Sequence, residues 1–522
     1  MKNPAQTLKN LQPWLLSTLS GVLLVLIFPR FNLEFLAWFA LVPLLFSIQD
    51  QPLARATWLG FWAGMVFYFF GLYWVTNTLT NYGNIPLWLS IPILALLAAY
   101  LSFFLAIFCH LLNRLTQKNS LLIFLLAPFL WTGLEYLRST HEDYGFSWLG
   151  LGYSQYLTLP VVQIADITGV YGVSALIVLV NAALFYLLRF LLFPPGTEKP
   201  MPVRVTALTI LVLGLCLGYG YYSLGKYQAP QAGGSSLRIA LAQGNIPQHL
   251  KWDSAYQNQV FDIYQNLTLK AQAFKPELIV WPEAATPFYY QLNQEGTQKL
   301  NALAQKTGIP LFVGSPFLIT EGEQTTYLNS AFLISRKGTN EGRYDKIHLV
   351  PFGEFVPFKK ILFFVRKMVS TIGDFGKGQE ATLFDLKGNK FSASICYEIT
   401  FPDLVRQSVK NGAQFLVNIT NDAWFGKSAA SFQHMAMGAL RAVENRVPIV
   451  RAANTGISGT IDPDGTIRDT TQLFEEDLVL TQITPSNNGP TPYARYGDVF
   501  CWLCMGMAGI FGWLGKSNPR TY

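Results

Sequence analysis

The sequence predicts two parts of different class: a polytopic α-helical membrane part of about eight helices, and an α/β part inserted before the last helix. The 522-residue chain is 51% hydrophobic and only 13% charged, whereas an average soluble domain has about a quarter charged residues. Long apolar stretches fill residues 1–224 and return near the C-terminal end, while residues 225–495 alternate short apolar runs with helical patterns. A membrane protein with one large polar insertion is therefore expected.

Eight apolar stretches are candidate membrane spans, because a bilayer crossing takes about 20 mostly apolar residues. They lie at residues 13–28, 36–46, 58–79, 87–112, 121–136, 169–193, 205–222 and 499–514. Lys2 and Lys9 precede the first stretch as they would precede a secretory signal, but no small-residue cleavage site follows Phe28. We therefore predict that the first helix is retained.

The distribution of Lys and Arg among the short loops predicts the orientation in the membrane, since basic loops stay on the cytoplasmic side. One side carries Lys2, Lys9, Arg55, Arg114, Lys118, Arg189, Lys199, Arg204, Lys516 and Arg520. The short loops of the other side carry only Arg30 and Arg138. We expect a multi-pass protein with both termini cytoplasmic and the long insertion on the opposite side, which in the inner membrane of a bacterium would be the periplasm.

The insertion has the pattern of an α/β layered domain. Strands are predicted at residues 237–243, 277–281, 310–314, 330–335, 391–396, 413–420 and 447–453, and helices near 254–273, 294–307, 402–411 and 430–445. Its length of about 270 residues is enough for a core of its own. We divide the chain into a seven-helix membrane domain at 1–224, an inserted α/β domain at 225–495, and a C-terminal helix with a cytoplasmic tail at 496–522.

Charge and cysteine content exclude two classes of function. The net charge of +7 does not indicate a nucleic-acid partner, because Lys and Arg are scattered or flank apolar runs. Of the five cysteines only Cys396 lies outside the apolar stretches, which argues against a disulfide framework. Cys501 and Cys504 have a metal-site spacing, but they lie in an apolar helix without a second ligand pair, so a lipid-facing or packing role is expected.

Two reactive side chains follow predicted strands, where α/β folds usually bind ligands. Glu283 follows the strand that ends at Trp281. A carboxylate held there would be partly desolvated and would act as a general base, although a surface glutamate explains that position equally well. Lys346 would stabilise an oxyanion on an attacked carbonyl. Its alternative is a solvated lysine paired with Asp345 or Glu341.

The third reactive side chain is Cys396, which closes the run FSASIC. An inert buried thiol is the more common fate of a cysteine in a strand. A turn and a helix are predicted to follow, with Pro402 in the first helical turn, so the sulfur would lie near a positive helix end that favours the thiolate. Pairing with His348 or His434 remains open, although each histidine is expected to be structural. A base, a cation and a thiol are the parts that covalent acyl transfer needs.

The order Glu283, Lys346, Cys396, in the stretches WPEAA, YDKIHLVPFGEF and ICYE followed by NITNDAWFG, resembles the nitrilase superfamily. The resemblance extends over most of residues 225–495. It implies a nitrilase-like four-layer α-β-β-α sandwich in which Glu283 is the general base, Lys346 the oxyanion-stabilising cation and Cys396 the nucleophile. It further implies that Glu354 is a supporting carboxylate.

Several stretches resemble one membrane-bound family of that superfamily, the bacterial apolipoprotein N-acyltransferases. QGNIPQHLKW ends at Trp252, ICYE contains Tyr397 and Glu398, and NDAWFG precedes QHMAMGALRAVENRVPIVRAANTG. The resemblance implies that Trp252, Tyr397 and Glu398 support catalysis or bind substrate. It implies a ping-pong reaction, in which Cys396 takes an acyl chain from a phospholipid, expected to be phosphatidylethanolamine. The chain then passes to the α-amine of a diacylglyceryl-cysteine apolipoprotein, with no metal or organic cofactor.

Residues 356–367 combine Lys and Arg with a run of Ile, Leu, Phe and Val. We predict an interfacial lid or arm there, with Gly373, Gly376 and Gly378 providing mobility beyond it. An ordinary helix packed on the domain explains the same pattern equally well.

Two rival functions remain open from the sequence. A membrane-tethered nitrilase or amidase would use the same three residues and pass the acyl group to water, although a hydrolase of soluble amides would not need eight helices. A transporter or receptor would place ionisable residues within its spans. The predicted helices contain few such residues, mainly Glu135 and His110 near helix ends.

Overall fold

The fold was examined in a computed structural model, which describes residues 4–116, 121–141, 144–192, 202–227, 236–251, 253–322, 324–351, 353–355 and 375–516. The first part contains α1 Pro4–Leu26, α2 Val42–Ile48, α3 Leu53–Gly71, α4 Val75–Asn81, α5 Leu87–Thr116, α6 Leu121–Thr140, α7 Leu159–Val162, α8 Ala165–Thr168, α9 Val170–Leu192 and α10 Val203–Tyr227.

Each of the eight predicted apolar stretches coincides with a helix or with a pair of helices. Among the described residues, α5, α6, α9 and α10 are long and apolar enough to cross a membrane, and the pair α3 and α4, bent by 52°, makes a fifth. Shorter apolar helices account for the other three stretches, at Asn10–Leu26, Glu34–Ile48 and Val499–Gly512. The expected count of about eight helices agrees with this arrangement.

Residues 144–168, between α6 and α9, form a buried segment that the sequence did not predict. It contains a 3₁₀ helix at Leu151–Gln155 followed by α7 and α8. The Glu135 carboxylate of α6 accepts hydrogen bonds from the Leu151 N–H at 3.0 Å and from the Ser174 hydroxyl at 2.7 Å. The apolar runs of this segment are too short for a span, so hydropathy alone does not distinguish it from a loop.

In its described residues, the second part has twelve strands and five α-helices, followed by the last apolar helix. The strands are β1 Leu237–Gln243, β2 Leu278–Trp281, β3 Leu311–Glu321, β4 Gln324–Ile334, β5 Asn340–Asp345, β6 Leu383–Leu386, β7 Asn389–Ile395, β8 Phe415–Thr420, β9 Ile449–Ala453, β10 Gly459–Ile461, β11 Ile467–Arg468 and β12 Asp477–Ile483. The helices are α11 Gln257–Ala271, α12 Gln294–Thr307, α13 Pro402–Lys410, α14 Ala430–Asn445, α15 Pro492–Tyr496 and α16 Val499–Lys516.

The strands form two six-stranded sheets, in the orders β12-β1-β2-β3-β4-β5 and β11-β10-β9-β8-β7-β6. Successive side chains of β2 point to opposite faces. Leu278 and Val280 lie in the core between the sheets, whereas Ile279 and Trp281 pack with α11 and α12. Helices α13 and α14 pack on the second sheet. The result is the expected four-layer α-β-β-α sandwich.

All seven predicted strands lie wholly or mostly within observed ones, but five observed strands were not predicted: β5, β6, β10, β11 and β12. Four of these form sheet edges, and all except the three-residue β10 include partly or fully exposed positions. In β12, for example, buried and exposed residues alternate from Leu478 to Ile483. The apolar runs that identify central parallel strands are therefore absent there.

A buried ion pair joins the sandwich to the helical part. The Arg446 guanidinium, at the end of α14, donates to the Asp166 carboxylate of α8 at 2.7 Å and to the Gln163 side chain at 2.6 Å. The Tyr219 hydroxyl of α10 donates to the same carboxylate at 2.8 Å. One network therefore links α14, α8 and α10.

Candidate active site

Three strand ends bring the predicted residues together at one end of the sandwich. Glu283 follows β2, Lys346 follows β5, and Cys396 follows β7 of the other sheet. The Lys346 Nζ lies 3.6 Å from the Glu283 Oε1 and 2.9 Å from the Glu354 Oε1. Glu283, Lys346 and Cys396 are all buried.

The backbone at Cys396 is a strained corner between a strand and a helix. Cys396 has φ of +55°, in the left-handed region, and begins a 3₁₀ helix that ends at Thr400. A non-glycine residue there costs on the order of 1–3 kcal/mol, so the surrounding contacts must hold it. The Glu398 carboxylate contributes by accepting the N–H of Ile395 at 2.6 Å.

The Cys396 thiol is neutral at rest, contrary to the expectation of a stabilised thiolate. Burial raises the pKa of Cys396 to about 12, and the Glu283 carboxylate adds to that increase, while Lys346 opposes it. Loss of water around the sulfur thus outweighs the nearby ammonium. A nucleophilic role would therefore require proton transfer during the attack, and Glu283 is the nearby carboxylate suited to accept that proton.

The Glu283 carboxylate is held by two partners that the sequence did not identify. Its Oε1 accepts the Asn329 side-chain N–H at 2.7 Å, and its Oε2 accepts the Asn421 backbone N–H at 2.8 Å. Asn421 belongs to the stretch NDAWFG, whose resemblance to a known family does not by itself indicate what this asparagine does. Asn329 lies in β4 without a motif to mark it. Its contacts arise only from the pairing of β4 with β3 and β5.

Lys346 forms an ion pair with Glu354 and keeps its own positive charge. Burial acts to lower the pKa of Lys346, but Glu354 and then Glu283 raise it, and the result lies above the ordinary value. Glu354 is held in turn, since its Oε2 accepts the Val350 N–H at 2.9 Å. The ammonium therefore lies in a fixed position beside Glu283, as an oxyanion-stabilising group would.

Glu398 ties the loop of Lys346 to the corner of Cys396. Its carboxylate accepts the hydroxyl of Tyr344 at 2.9 Å and the N–H groups of Ile347 and His348 at 2.6 and 3.0 Å. Burial raises the pKa of Glu398 to about 7, while these backbone hydrogen bonds act to lower it. Glu398 is therefore placed to position its neighbours.

Comparison with known proteins identifies the family. The family model described as Apolipoprotein N-acyltransferase N-terminal domain matches residues 20–183, and the one described as Carbon-nitrogen hydrolase matches residues 238–493. A protein of Geobacter metallireducens named Apolipoprotein N-acyltransferase is 44% identical over 95% of this chain and 94% of its own length. The chain belongs to the apolipoprotein N-acyltransferase family.

Two further relatives are less similar to this chain. The proteins of the same name from Pasteurella multocida and Haemophilus influenzae are 34% and 32% identical, over 94% and 93% of this chain and 93% and 91% of theirs. Among solved structures, an amidase from Nesterenkonia sp. aligns at 21% identity over 50% of this chain and 93% of its own, with a TM-score of 0.37. That score is too low to carry an argument.

In this N-acyltransferase family member, Trp148 of the helical part packs against Tyr397, the residue after Cys396. The Tyr397 ring stacks on Trp148 with centroids 5.8 Å apart and planes at 14°, and its hydroxyl donates to the Gly145 carbonyl at 3.4 Å. Trp148 in turn contacts the rings of Trp74 and Phe425. Tyr397 therefore joins the sandwich to the buried segment at 144–168.

The two histidines do not form a Cys-His pair in the described structure. The His434 Nε2 lies 3.1 Å from the Cys396 carbonyl oxygen, and its Nδ1 lies 3.0 Å from an Arg451 N–H. Burial, and next Arg451, lower the pKa of His434, so the neutral ring donates to the backbone of Cys396. His348 stacks on Phe401, with ring centroids 3.6 Å apart. These contacts are with groups other than the Cys396 thiol, and a structural role for both histidines stays the prediction.

Some predicted features lie outside the described residues, namely Trp252, the proposed lid or arm at 356–367, and Gly373. Gly376 and Gly378 are described, and their N–H groups donate to the carbonyls of Tyr327 and Lys346 at 2.7 and 2.8 Å. Those two glycines are therefore held by the backbone. Within the described ranges, no group of three or more His, Cys, Asp or Glu side chains is placed to hold a metal ion.

Proposed function

We propose that this protein transfers a fatty acyl chain from a phospholipid, through a thioester on Cys396, to the N-terminal α-amine of diacylglyceryl-cysteine apolipoproteins. Phosphatidylethanolamine is the proposed donor. The observation that carries the proposal is the buried group of Cys396, Glu283 and Lys346, with the Lys346 Nζ 3.6 Å from the Glu283 carboxylate, in a chain whose relatives are named Apolipoprotein N-acyltransferase. No metal or organic cofactor is needed for this chemistry.

The first half-reaction forms the thioester. Glu283 takes the proton of the Cys396 thiol while the sulfur attacks the ester carbonyl of the phospholipid. Lys346 stabilises the oxyanion of the tetrahedral intermediate. The C–O bond of the ester then breaks, and the lysophospholipid leaves with the proton that Glu283 returns. Glu354 keeps the ammonium of Lys346 in place.

The second half-reaction forms the amide. The neutral α-amine of the apolipoprotein attacks the thioester carbonyl, and Lys346 again stabilises the oxyanion. Glu283 takes a proton from the amine, the C–S bond breaks, and the proton passes to the sulfur to restore the thiol. Tyr397, Glu398 and, from its place in the sequence, Trp252 are proposed to position the groups or to bind substrate.

The membrane helices serve the reaction by keeping both substrates in the bilayer. Moving an acyl chain into water costs about 0.8 kcal/mol per CH₂, so a site that opens to the membrane surface avoids that cost. The distribution of Lys and Arg supports cytoplasmic termini and a periplasmic sandwich in the bacterial inner membrane. We propose that topology for this chain.

Intact-mass measurement of an acyl adduct tests the mechanism. Purified full-length protein incubated with labelled phospholipid is expected to gain one acyl mass on Cys396. Cys396→Ala should gain none, and Glu283→Gln should acylate at least about a hundredfold more slowly, since general base catalysis contributes about 10²–10⁴-fold. Cys216→Ala is the matched control and should behave like the wild type. An adduct on another residue would overturn the mechanism.

A membrane-tethered nitrilase or amidase is the second candidate, because the match to the Carbon-nitrogen hydrolase family model fits hydrolysis equally well. Its first half-reaction would also leave an acyl group on Cys396. The purified acyl-enzyme separates the two functions when it is mixed with a diacylglyceryl-cysteine peptide. Transfer to the peptide amine is expected here, whereas discharge to water alone would favour the hydrolase.

A further inference from the structure

Lys251 is a buried lysine beside Glu283 that the mechanism above does not use. It is 1% exposed, and its Nζ donates to the backbone carbonyl oxygen of Glu283 at 2.8 Å. The turn that carries it is tied to the site, since the Gln248 side chain accepts the Asn421 side-chain N–H at 2.7 Å. The fold therefore fixes the position of the Lys251 ammonium.

The Lys251 ammonium has unused hydrogen-bonding capacity. A lysine has three N–H donors, and in the described part of the chain only the Glu283 carbonyl oxygen accepts one from Lys251. None of the described carboxylates lies within salt-bridge distance of it, in contrast to Lys346. A buried charge without a counter-ion costs several kcal/mol, and groups with that cost are concentrated at functional sites.

The charge of Lys251 is coupled to the two groups that exchange the proton. Burial lowers the pKa of Lys251 to about 8, while the charges of Glu283 and then of Cys396 act to raise it. Lys346 contacts the Glu283 carboxylate and is paired with Glu354. Because a charge interaction is mutual, an ammonium that the thiolate stabilises also stabilises the thiolate.

We propose that Lys251 is a positioning residue of the acyl transfer. Its hydrogen bond holds the backbone turn at Glu283, and its positive charge stabilises the Cys396 sulfur as the proton passes from the thiol to Glu283. Lys251 keeps its own proton throughout this step. The inference rests on the proposed function, because it assigns to Lys251 a part in forming the nucleophile of that reaction.

Alkylation of Cys396 by iodoacetamide, in the absence of lipid, measures how readily the thiolate forms. The rate is followed by mass spectrometry from about pH 6 to about pH 10 in the full-length protein, in Lys251→Met and in Lys251→Arg. The control is Lys410→Met, which removes an exposed charge on α13. Thermal unfolding shows which variants are folded.

The wild-type rate should rise with pH up to about 8 and then level off, because Lys251 loses its charge there. Lys251→Met should react about tenfold more slowly at neutral pH, since a nearby charge shifts a pKa by about one unit or more. Lys251→Arg should stay closer to the wild type, and neither variant should level off near pH 8. Lys410→Met should match the wild type.

Identical pH profiles for the wild type and folded Lys251→Met would overturn the proposal. If Lys251→Met does not fold, the comparison with Lys251→Arg decides. A wild-type alkylation rate that keeps rising with pH, as the Lys251→Arg rate is expected to, would then overturn the proposal. Failure of the proposed function is a separate result, since it appears as the absence of an acyl adduct on Cys396 while the alkylation profile still depends on Lys251.

Discussion

At the scale of single residues, the site consists of charges that hold one another in place around a neutral thiol. Glu354 and Glu283 keep Lys346 ionised. Glu398 uses both carboxylate oxygens to hold the loop after β5 and the corner before Cys396. Glu283, Lys346 and Glu398 are buried, and only 12% of the Glu354 side chain is exposed. Removing one partner therefore leaves the charges of the others uncompensated.

Glu398→Gln is expected to weaken both activity and folding. The amide has one acceptor oxygen and two donors, so at least one of the N–H groups of Ile395, Ile347 and His348 loses its acceptor. We expect a loss of about 1–3 kcal/mol in the free energy of unfolding and at least about tenfold slower acylation of Cys396. Thermal unfolding and intact-mass kinetics measure the two effects.

The stability lost in Glu398→Gln should depend on pH. The pKa of Glu398 is raised to about 7 in the folded state, so between about pH 4.3, the ordinary value, and pH 7 the folded protein binds this proton more tightly than the unfolded chain. The stability contribution of Glu398 therefore falls as the pH rises through that range. The difference in the free energy of unfolding between wild type and Glu398→Gln should be larger at pH 5 than at pH 8. An equal difference at the two pH values would contradict this prediction.

At the scale of elements, close contact between backbones aims Glu283. The N–H of Ala285 donates to the Gly314 carbonyl of β3 at 2.8 Å, so the turn after β2 lies directly on β3. A Cβ added at Gly314 would lie 2.3 Å from the Pro282 carbonyl oxygen and 2.8 Å from the Cα of Glu283. Glycine is required there because the two backbones leave no room for a side chain.

Gly314→Ala should therefore move Glu283 away from its partners. Overpacking of this kind typically costs about 1–3 kcal/mol, and we expect a similar loss in the free energy of unfolding together with at least about tenfold slower acylation of Cys396. Gly225→Ala is the matched control, because an added Cβ there meets nothing within 4 Å. Unchanged acylation by Gly314→Ala would show that Glu283 does not depend on this contact.

At the scale of the whole molecule, the sandwich is fastened to the membrane helices by buried polar contacts. The pair of Arg446 and Asp166 joins α14 to α8, and Tyr397 reaches the segment that contains Trp148. Glu135 holds the same segment in place, since its carboxylate accepts the N–H of Leu151. A structural role for this intramembrane acid leaves less support for the transporter alternative.

Asp166→Asn tests that attachment. Removing one partner of a buried ion pair costs about 3–5 kcal/mol, so the thermal stability of the full-length protein should fall clearly. Asp50→Asn is the control, because Asp50 pairs with Arg189 at 3.8 Å with 76% of its side chain exposed, and exposed pairs contribute about 1 kcal/mol or less. Equal effects of the two substitutions would contradict the docking role of Asp166.

Much of the fold was predictable because the relevant signals are local. Apolar stretches identify the membrane helices. Strand β2 is a continuous apolar run and β8 is fully buried and mostly apolar, because both faces of each sheet are covered. Strand β12 was missed because alternate side chains are exposed, and the segment at 144–168 because its helices are too short for a span.

The candidate site, too, was only partly predictable from the sequence. The sequence by itself determined the apolar stretches and placed Glu283 and Cys396 at the ends of two predicted strands, since hydropathy and strand patterns depend on neighbouring residues. Strand β5, which precedes Lys346, became evident only in the structure. Only the tertiary structure decided that the thiol is neutral, and that Lys251 meets the Glu283 backbone. Those properties depend on burial and on charges that are distant in the chain, and folding alone brings them within a few ångströms.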